Sequence, residues 1–232
     1  MIVELCYEPF EHILIKESYN HNQLSNVHNE LDTLFPLLKD PQYTMSAEEK
    51  DGQYKKKNKG IFLDYGMQSY CDTEKESVIM QYRNSFFDVI VNNYKYEKSN
   101  YELKSLVSYY GEGDCYRSHV DHAIYTIVTF LCKDNTKFSG GQLFFPEYNW
   151  SIDPIDNVTI IFPSRIYHEV LPVKSSDDLN RYGRFSITSF FDEKVSNINS
   201  KYTSLKVGDA IAVSYTHLRA HETREDILWR LM

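Results

Sequence analysis

Cysteine is scarce in this chain of 232 residues: there are 4, Cys6, Cys71, Cys115 and Cys132, with no C-x-x-C pair and no regular spacing. That excludes a regular disulfide framework and reads as reduced thiols. A secretory signal is lacking too, because the opening segment carries Glu4, Glu8 and Glu11 where such a signal needs a basic start. No apolar run approaches the roughly 20 residues of a membrane span. Positive charge is in the minority, 25 Lys and Arg against 33 Asp and Glu, for a net charge of -8 and a pI near 5.5. Generic binding to a polyanion is thereby disfavoured, so no nucleic-acid partner is expected. Together these absences predict a cytoplasmic protein with no membrane partner. They leave oligomeric state open.

Aromatic residues are abundant. The chain has 19 Tyr and 13 Phe, and aromatics make up 15% of it. Such a load favours a sheet-dominated fold, and the length fits one domain with appendages. Residues 1–102 read as mainly helical, an N-terminal support integral to the fold. Leu24, Val27, Leu31 and Leu34 share one helical face until Pro36, and Val78, Tyr82, Phe86 and Ile90 recur at four-residue steps in a helix over 74–93. Between them runs a polar loop, with one short strand at 61–64. Within that loop Lys55, Lys56, Lys57 and Lys59 read first as a solvated run, with a substrate clamp as the alternative.

Residues 103–196 change texture to short strands separated by turn signals, at 103–110, 124–131, 141–145, 157–162, 167–173 and 183–191. Evenly spaced strands of this kind predict a sandwich or jelly roll, mainly β with bracing helices. Residues 197–232 form a C-terminal extension. From Ser214 it abandons the strand pattern, gathers His217, Arg219, His221, Arg224 and Arg230, and resembles translated vector read-through. It is excluded from the fold and from metal counting.

Among the 8 histidines, His119 stands two residues before Asp121. On an extended segment the two side chains share a face and can reach one metal. His168, at the start of a strand, can supply a third ligand. Two imidazoles and a carboxylate suit Fe(II) and leave open positions. The competing reading is two surface histidines and a turn aspartate. His28 and Glu30 offer the same ligand types but lie on a helix, where such neighbours face apart. His122 points to the other face of a continuing strand, while His12 and His21 read as surface histidines. Over 183–191, alternation sets Arg184, Ser186, Thr188 and Phe190 on one face and Phe185, Ile187, Ser189 and Phe191 on the other. An arginine on the interior face of such a strand is costly unless an anion meets it. The alternative is a strand-end arginine paired with a structural acid.

With these residues in place, the segment from Tyr109 to Phe191 resembles the Fe(II)/2-oxoglutarate-dependent dioxygenases, in their prolyl 4-hydroxylase-like branch. The carriers are Tyr110-Gly111-Glu112-Gly113 with Tyr116 to Asp121, Phe138-Ser139-Gly140-Gly141-Gln142-Leu143, Ile161-Phe162-Pro163 with His168-Glu169-Val170, and Arg184 to Thr188. The resemblance implies a double-stranded β-helix, a cupin-like jelly roll. It also implies His119, Asp121 and His168 as metal-binding and catalytic residues, with Arg184, Ser186 and either Tyr109 or Tyr116 on the cosubstrate. Collagen-type relatives anchor that cosubstrate with lysine, so the arginine resembles the oxygen-sensing and microbial members. Arg181 competes with Arg184 for the role, and Phe130 stands where the oxygen-sensing branch has a second tyrosine. Gly140-Gly141 would allow a tight turn, and Gly111 and Gly113 would let the lead-in loop bend close to the site.

The implied cofactors are Fe(II), 2-oxoglutarate and O2, with ascorbate as an accessory reductant. The implied reaction hydroxylates a C–H bond with release of succinate and CO2. A prolyl residue of a peptide or protein is the leading substrate, framed by residues 40–66 together with Tyr148 and Trp150, the last of which reads equally as a packing residue. The alternatives are a same-fold oxygenase acting on a free amino acid, small molecule or nucleobase, and a non-catalytic jelly-roll binding module.

Overall fold

Apolar and small residues organise the chain into strands, the central ones buried on both faces. The computed structural model describes residues 1–44, 52, 54–64, 77–175 and 183–194. A seven-stranded sheet runs in the order β1 (Ile2–Cys6), β2 (His12–Lys16), β10 (Val158–Pro163), β6 (Tyr125–Leu131), β13 (Arg184–Glu193), β4 (Tyr101–Tyr110) and β3 (Lys59–Phe62). A four-stranded sheet runs β5 (Tyr116–His119), β11 (His168–Val170), β8 (Leu143–Phe145) and β9 (Trp150–Ile152). A separate pair joins β12 (Val173–Ser175) to β7 (Phe138–Gly140). The registered pairings are antiparallel, and the two sheets enclose a core of Phe10, Val128, Phe130, Leu143, Phe145 and Phe162. This is the jelly roll that the strand pattern predicts.

Two helices brace the outer face of the large sheet. Helix α1 (His21–Leu34) starts on a capping box in which Asn20 and Gln23 exchange side-chain and backbone hydrogen bonds. Helix α2 (Val78–Tyr94) is capped by Ser77, whose hydroxyl accepts from the Met80 amide, and ends at Lys95 in the left-handed region. Val27, Leu31, Phe86 and Ile90 press on Ile127, Phe185, Ile187 and Phe191 in a second core. Burying these side chains holds the helices to the sheet, because helices of this length are marginal alone. No helix among the described residues is long and apolar enough to cross a membrane.

Residues 1–102 are less helical than expected. β1, β2 and β3 all belong to the large sheet, and residues 1–192 form one unit. Five-residue strands such as His12–Lys16 carry too few alternations to declare themselves. The strand expected over 167–173 is interrupted at Pro172 and becomes β11 and β12. The C-terminal extension lies outside the described residues, as do Arg181, Cys71 and the first residues of the expected second helix. Phe86, 2% exposed, tests the outer core. Phe86→Ala is expected to lower unfolding free energy by about 3–5 kcal/mol, measured by urea denaturation.

Candidate functional site

Residues of both sheets line a cavity of about 500 Å³. Its floor follows the period of two. Arg184, Ser186, Thr188 and Phe190 of β13 line it, as do Leu106, Ser108 and Tyr110 of β4. The opposite residues of β13, Phe185, Ile187 and Phe191, lie in the helix-side core, and Ser189 bonds the Ser105 hydroxyl at 2.8 Å. The alternation read from residues 183–191 is therefore the alternation of the folded strand.

Across the cavity, His168 and His119 are directly paired residues of β11 and β5, with ring centroids 4.3 Å apart. Asp121 follows β5, its amide donating to the Ser164 carbonyl at 2.9 Å. The Thr126 hydroxyl donates to Asp121 Oδ2 at 2.7 Å and lies 2.8 Å from the Ser164 hydroxyl. Asp121 Oδ2 stands 3.3 Å from His168 Nε2, and Oδ1 stands 3.7 Å from His119 Nε2. The three ligand atoms all lie within 4.8 Å of one another, the donor arrangement of a divalent metal site. His28 instead stands 3.4 Å from Asp156.

Local geometry selects the useful tautomer. His119 Nδ1 lies 2.9 Å from the Arg117 carbonyl, and His168 Nδ1 lies 2.9 Å from the Ile166 carbonyl. A carbonyl only accepts, so each Nδ1 carries the proton and each Nε2 offers a lone pair toward the centre. Burial, with His168 beside it, pushes His119 down to about 3. Burial pushes the other way on Asp121, but hydrogen bonding and charge interaction with His168, then His119 and Thr126, outweigh it and leave the carboxyl at about 2. The donor set at neutral pH is thus a neutral imidazole at His119 and an ionised carboxylate, which fits a divalent cation.

Arg184 is 1% exposed. Its guanidinium stacks over Tyr110 at 4.8 Å and Phe130 at 5.2 Å, and reaches the Ser186 hydroxyl only at 3.5 Å. Among the described residues its Nε has no hydrogen-bond partner. A buried guanidinium with an orphaned donor, facing a cavity, fits a carboxylate-bearing cosubstrate. Gly141, at φ +69°, leaves this side chain its room, since a Cβ there would come within 2.9 Å of Arg184 Cδ. Gly140, at φ +76°, turns the chain against the Pro172 carbonyl, where no Cβ fits.

Not every expected residue reaches the cavity. Tyr109 points to the helix side, packs on Phe35 and Phe185, and accepts the Gly183 amide at 3.1 Å. Its neighbour Tyr110 takes the place beside Arg184, where burial raises its phenol to about 12. Strand β4 is buried on both faces, so its sequence does not disclose which tyrosine faces in. Tyr116 does line the cavity, stacked on His119 at 3.6 Å. Tyr148 and Trp150 do not line it. They pack on Phe10, and Trp150 also meets His12 at 5.1 Å, so Trp150 is a packing residue and His12 is buried rather than superficial. His122 is exposed at the cavity rim instead of turned away. The lysine run is also divided. Lys57 and Lys59 are exposed, whereas Lys55 and Lys56 line the cavity and Lys56 is 3% exposed.

Residues 105–192 match the model of the family described as the 2OG-Fe(II) oxygenase superfamily. Similar solved structures include a prolyl-4-hydroxylase of Pseudomonas putida, at 15% identity over 79% of this chain and 92% of that one, with a TM-score of 0.57. A viral collagen prolyl hydroxylase of Paramecium Bursaria Chlorella virus-1 is similar at 14% identity over 78% and 94%, with a TM-score of 0.51. A 2OG-Fe(II) oxygenase family oxidoreductase of Burkholderia pseudomallei is similar at 14% over 78% and 85%, with a TM-score of 0.52. At these identities the likeness is one of fold. No curated protein matches the sequence. The family implies Fe(II), 2-oxoglutarate and O2.

Two measurements follow from the site. Tyr110→Phe is expected to raise the dissociation constant for 2-oxoglutarate, titrated calorimetrically, whereas Tyr109→Phe should leave it unchanged. The second concerns pH. His119 is depressed on folding, so the unfolded chain binds the extra proton first, below its ordinary 6.5. Stability of the metal-free protein should then be full above about pH 6.5 and fall toward pH 5 by up to about 1.4 kcal/mol per pH unit from this group. Thermal melts should show the fall, and His119→Gln should reduce it.

Proposed function

We propose that the chain is a 2-oxoglutarate-dependent dioxygenase that hydroxylates an unactivated C–H bond, its target a prolyl residue of a peptide or protein. One observation carries the reading: the His119–Asp121–His168 cluster shares its cavity with a fully buried arginine that no acid among the described residues neutralises. A metal cluster alone would suit a binding module, and a buried arginine alone would suit a structural ion pair. Their presence in one cavity suits a metal and a carboxylate cosubstrate held together.

His119, Asp121 and His168 would hold Fe(II) through Nε2, a carboxylate oxygen and Nε2. Arg184 would hold the distal carboxylate of 2-oxoglutarate, with Tyr110 and Ser186 beside it. Bound Fe(II), 2-oxoglutarate and O2 supply the oxidising power, with succinate and CO2 released and ascorbate as the accessory reductant. Tyr116 fixes the plane of the His119 ring by stacking on it. Val128, Leu143 and Val170 give the cavity apolar wall, which limits water near the metal. Support for proline comes from the likeness in fold to two prolyl hydroxylases.

Protein supplied with Fe(II) is expected to convert 2-oxoglutarate to succinate, and His119→Ala or Asp121→Ala to abolish the conversion. Arg184→Met should raise the KM for 2-oxoglutarate roughly 100-fold, the loss of a charge-assisted bond worth about 3 kcal/mol. Mass spectrometry of proline-containing peptides should show a gain of about 16 Da, one added oxygen, on proline. Intact protein that neither binds metal nor turns over 2-oxoglutarate would refute the oxygenase reading.

A further inference from the structure

The large apolar side chains left outside the cores are not scattered. Among the described residues ten are exposed, and Met1, Ile2, Val3, Leu5 and Tyr7, all on or beside β1, make up half of them. Strand β1 is also a margin of the seven-stranded sheet. β2 pairs with one of its edges, and no strand among the described residues pairs with the other. That edge presents backbone N–H and C=O groups in a row, a template for one more strand. Val3 stands opposite Ile15 and Leu5 opposite Ile13, so both lie on the face that carries the helix-side core further in. Ile13 and Ile15 are fully buried, whereas Val3 and Leu5 are 43% and 41% exposed. The apolar face of the sheet thus runs one strand beyond its cover.

Register and charge indicate what fits there. Two β1 strands can pair antiparallel about a two-fold axis normal to the sheet, with like faces together, only when the axis passes through a residue. Centred on Glu4, the pairing would set that carboxylate against its own copy, and like charges directly opposite are destabilising. Centred on Val3, it would set Ile2 against Glu4. Centred on Leu5, it sets Leu5 against Leu5, Glu4 against Cys6, and Val3 against Tyr7, which is 67% exposed. In that register no charge meets a like charge, and the exposed apolar residues meet one another. Two copies of a chain with net charge -8 repel at a distance. The one charged residue of β1, Glu4, is however answered by Lys16 at 2.9 Å, so the strand itself is a neutral place for two copies to meet.

We propose that β1 is a self-association edge, at which two copies of this chain pair antiparallel about Leu5 and join their large sheets into one. The same strand serves both copies, so the contact closes as a dimer and does not propagate into a filament. β2, β10 and β6 stand between this edge and β13, which carries Arg184, so each copy keeps its own cavity. The inference is therefore independent of the oxygenase reading. An edge strand of five residues buries less than a standard interface, which puts the dissociation constant on the order of 10 μM.

The test is sedimentation of the full chain from about 1 to 200 μM, a range that brackets this constant. The mean mass should climb from one chain toward two. Leu5→Lys and Leu5→Glu each set like charges face to face and should stay monomeric, with thermal melts close to wild type because the side chain is exposed. An equal mixture of the two should regain the dimer, since unlike charges then meet across the axis. Val3→Lys mixed with Tyr7→Glu reads the same register without touching Leu5, and the mixture should associate more tightly than either variant alone. Leu37→Lys, which alters an exposed apolar residue outside β1, should dimerise as wild type does. A chain that is monomeric throughout would overturn the proposal and leave the edge to a different partner. Dimers that survive Leu5→Lys, or mixtures of folded variants that stay monomeric, would overturn it as well. Loss of the dimer in Leu37→Lys would do the same, by showing general adhesion in place of a registered edge.

Discussion

The burial of the Arg184 guanidinium is the constraint on which the rest of the site depends. Taking such a group out of water costs several kcal/mol unless an anion repays it. Here the immediate surroundings are two aromatic rings and a distant hydroxyl, which soften that penalty without cancelling it. The surrounding structure therefore has to hold the side chain in place. Gly141 supplies the space for its stem, and Phe185 and Ile187 anchor its strand against the helices. What the strand gains on its outer face it spends on its inner one, and the outcome is a cavity prepared for a carboxylate.

The metal cluster is prepared by the same logic with different parts. Pairing of β5 with β11 sets the two imidazoles opposite each other, and a carbonyl two residues back orients each ring. Desolvation then keeps His119 unprotonated, while Thr126 holds the Asp121 carboxylate and the Ser164 carbonyl holds its amide. Little rearrangement is needed for a cation to bind, which is how a site made of three side chains can discriminate by geometry.

Legibility in the sequence followed the length of the periodic signal. The ten-residue strand β13 showed its two faces before folding, and with them Arg184 and Ser186. Helix α1 was readable from its apolar face and Pro36, and His119, Asp121 and His168 from ligand type and order. Several short strands were not readable, because three to five residues hold too few alternations: β1, β2, β5, β7 and β9 went unforeseen. Tyr110 was concealed for a different reason. Where both faces of β4 are buried, a tyrosine on either side satisfies the pattern, and only the register against β13 decides.

The lysine run shows the same limit from the opposite direction. Four lysines in five residues look solvated, because charge dominates composition while alternation is hidden by like residues on both faces. In the fold, Lys57 and Lys59 are exposed while Lys56 and Asn58 line the cavity, so one charged stretch serves two environments. The buried half is the informative one. A lysine on the surface can be exchanged at little cost, since water already solvates it. One buried beside Tyr116, on the His119 side of the cavity, donates to the Thr44 carbonyl at 2.7 Å, so the fold fixes where it stands.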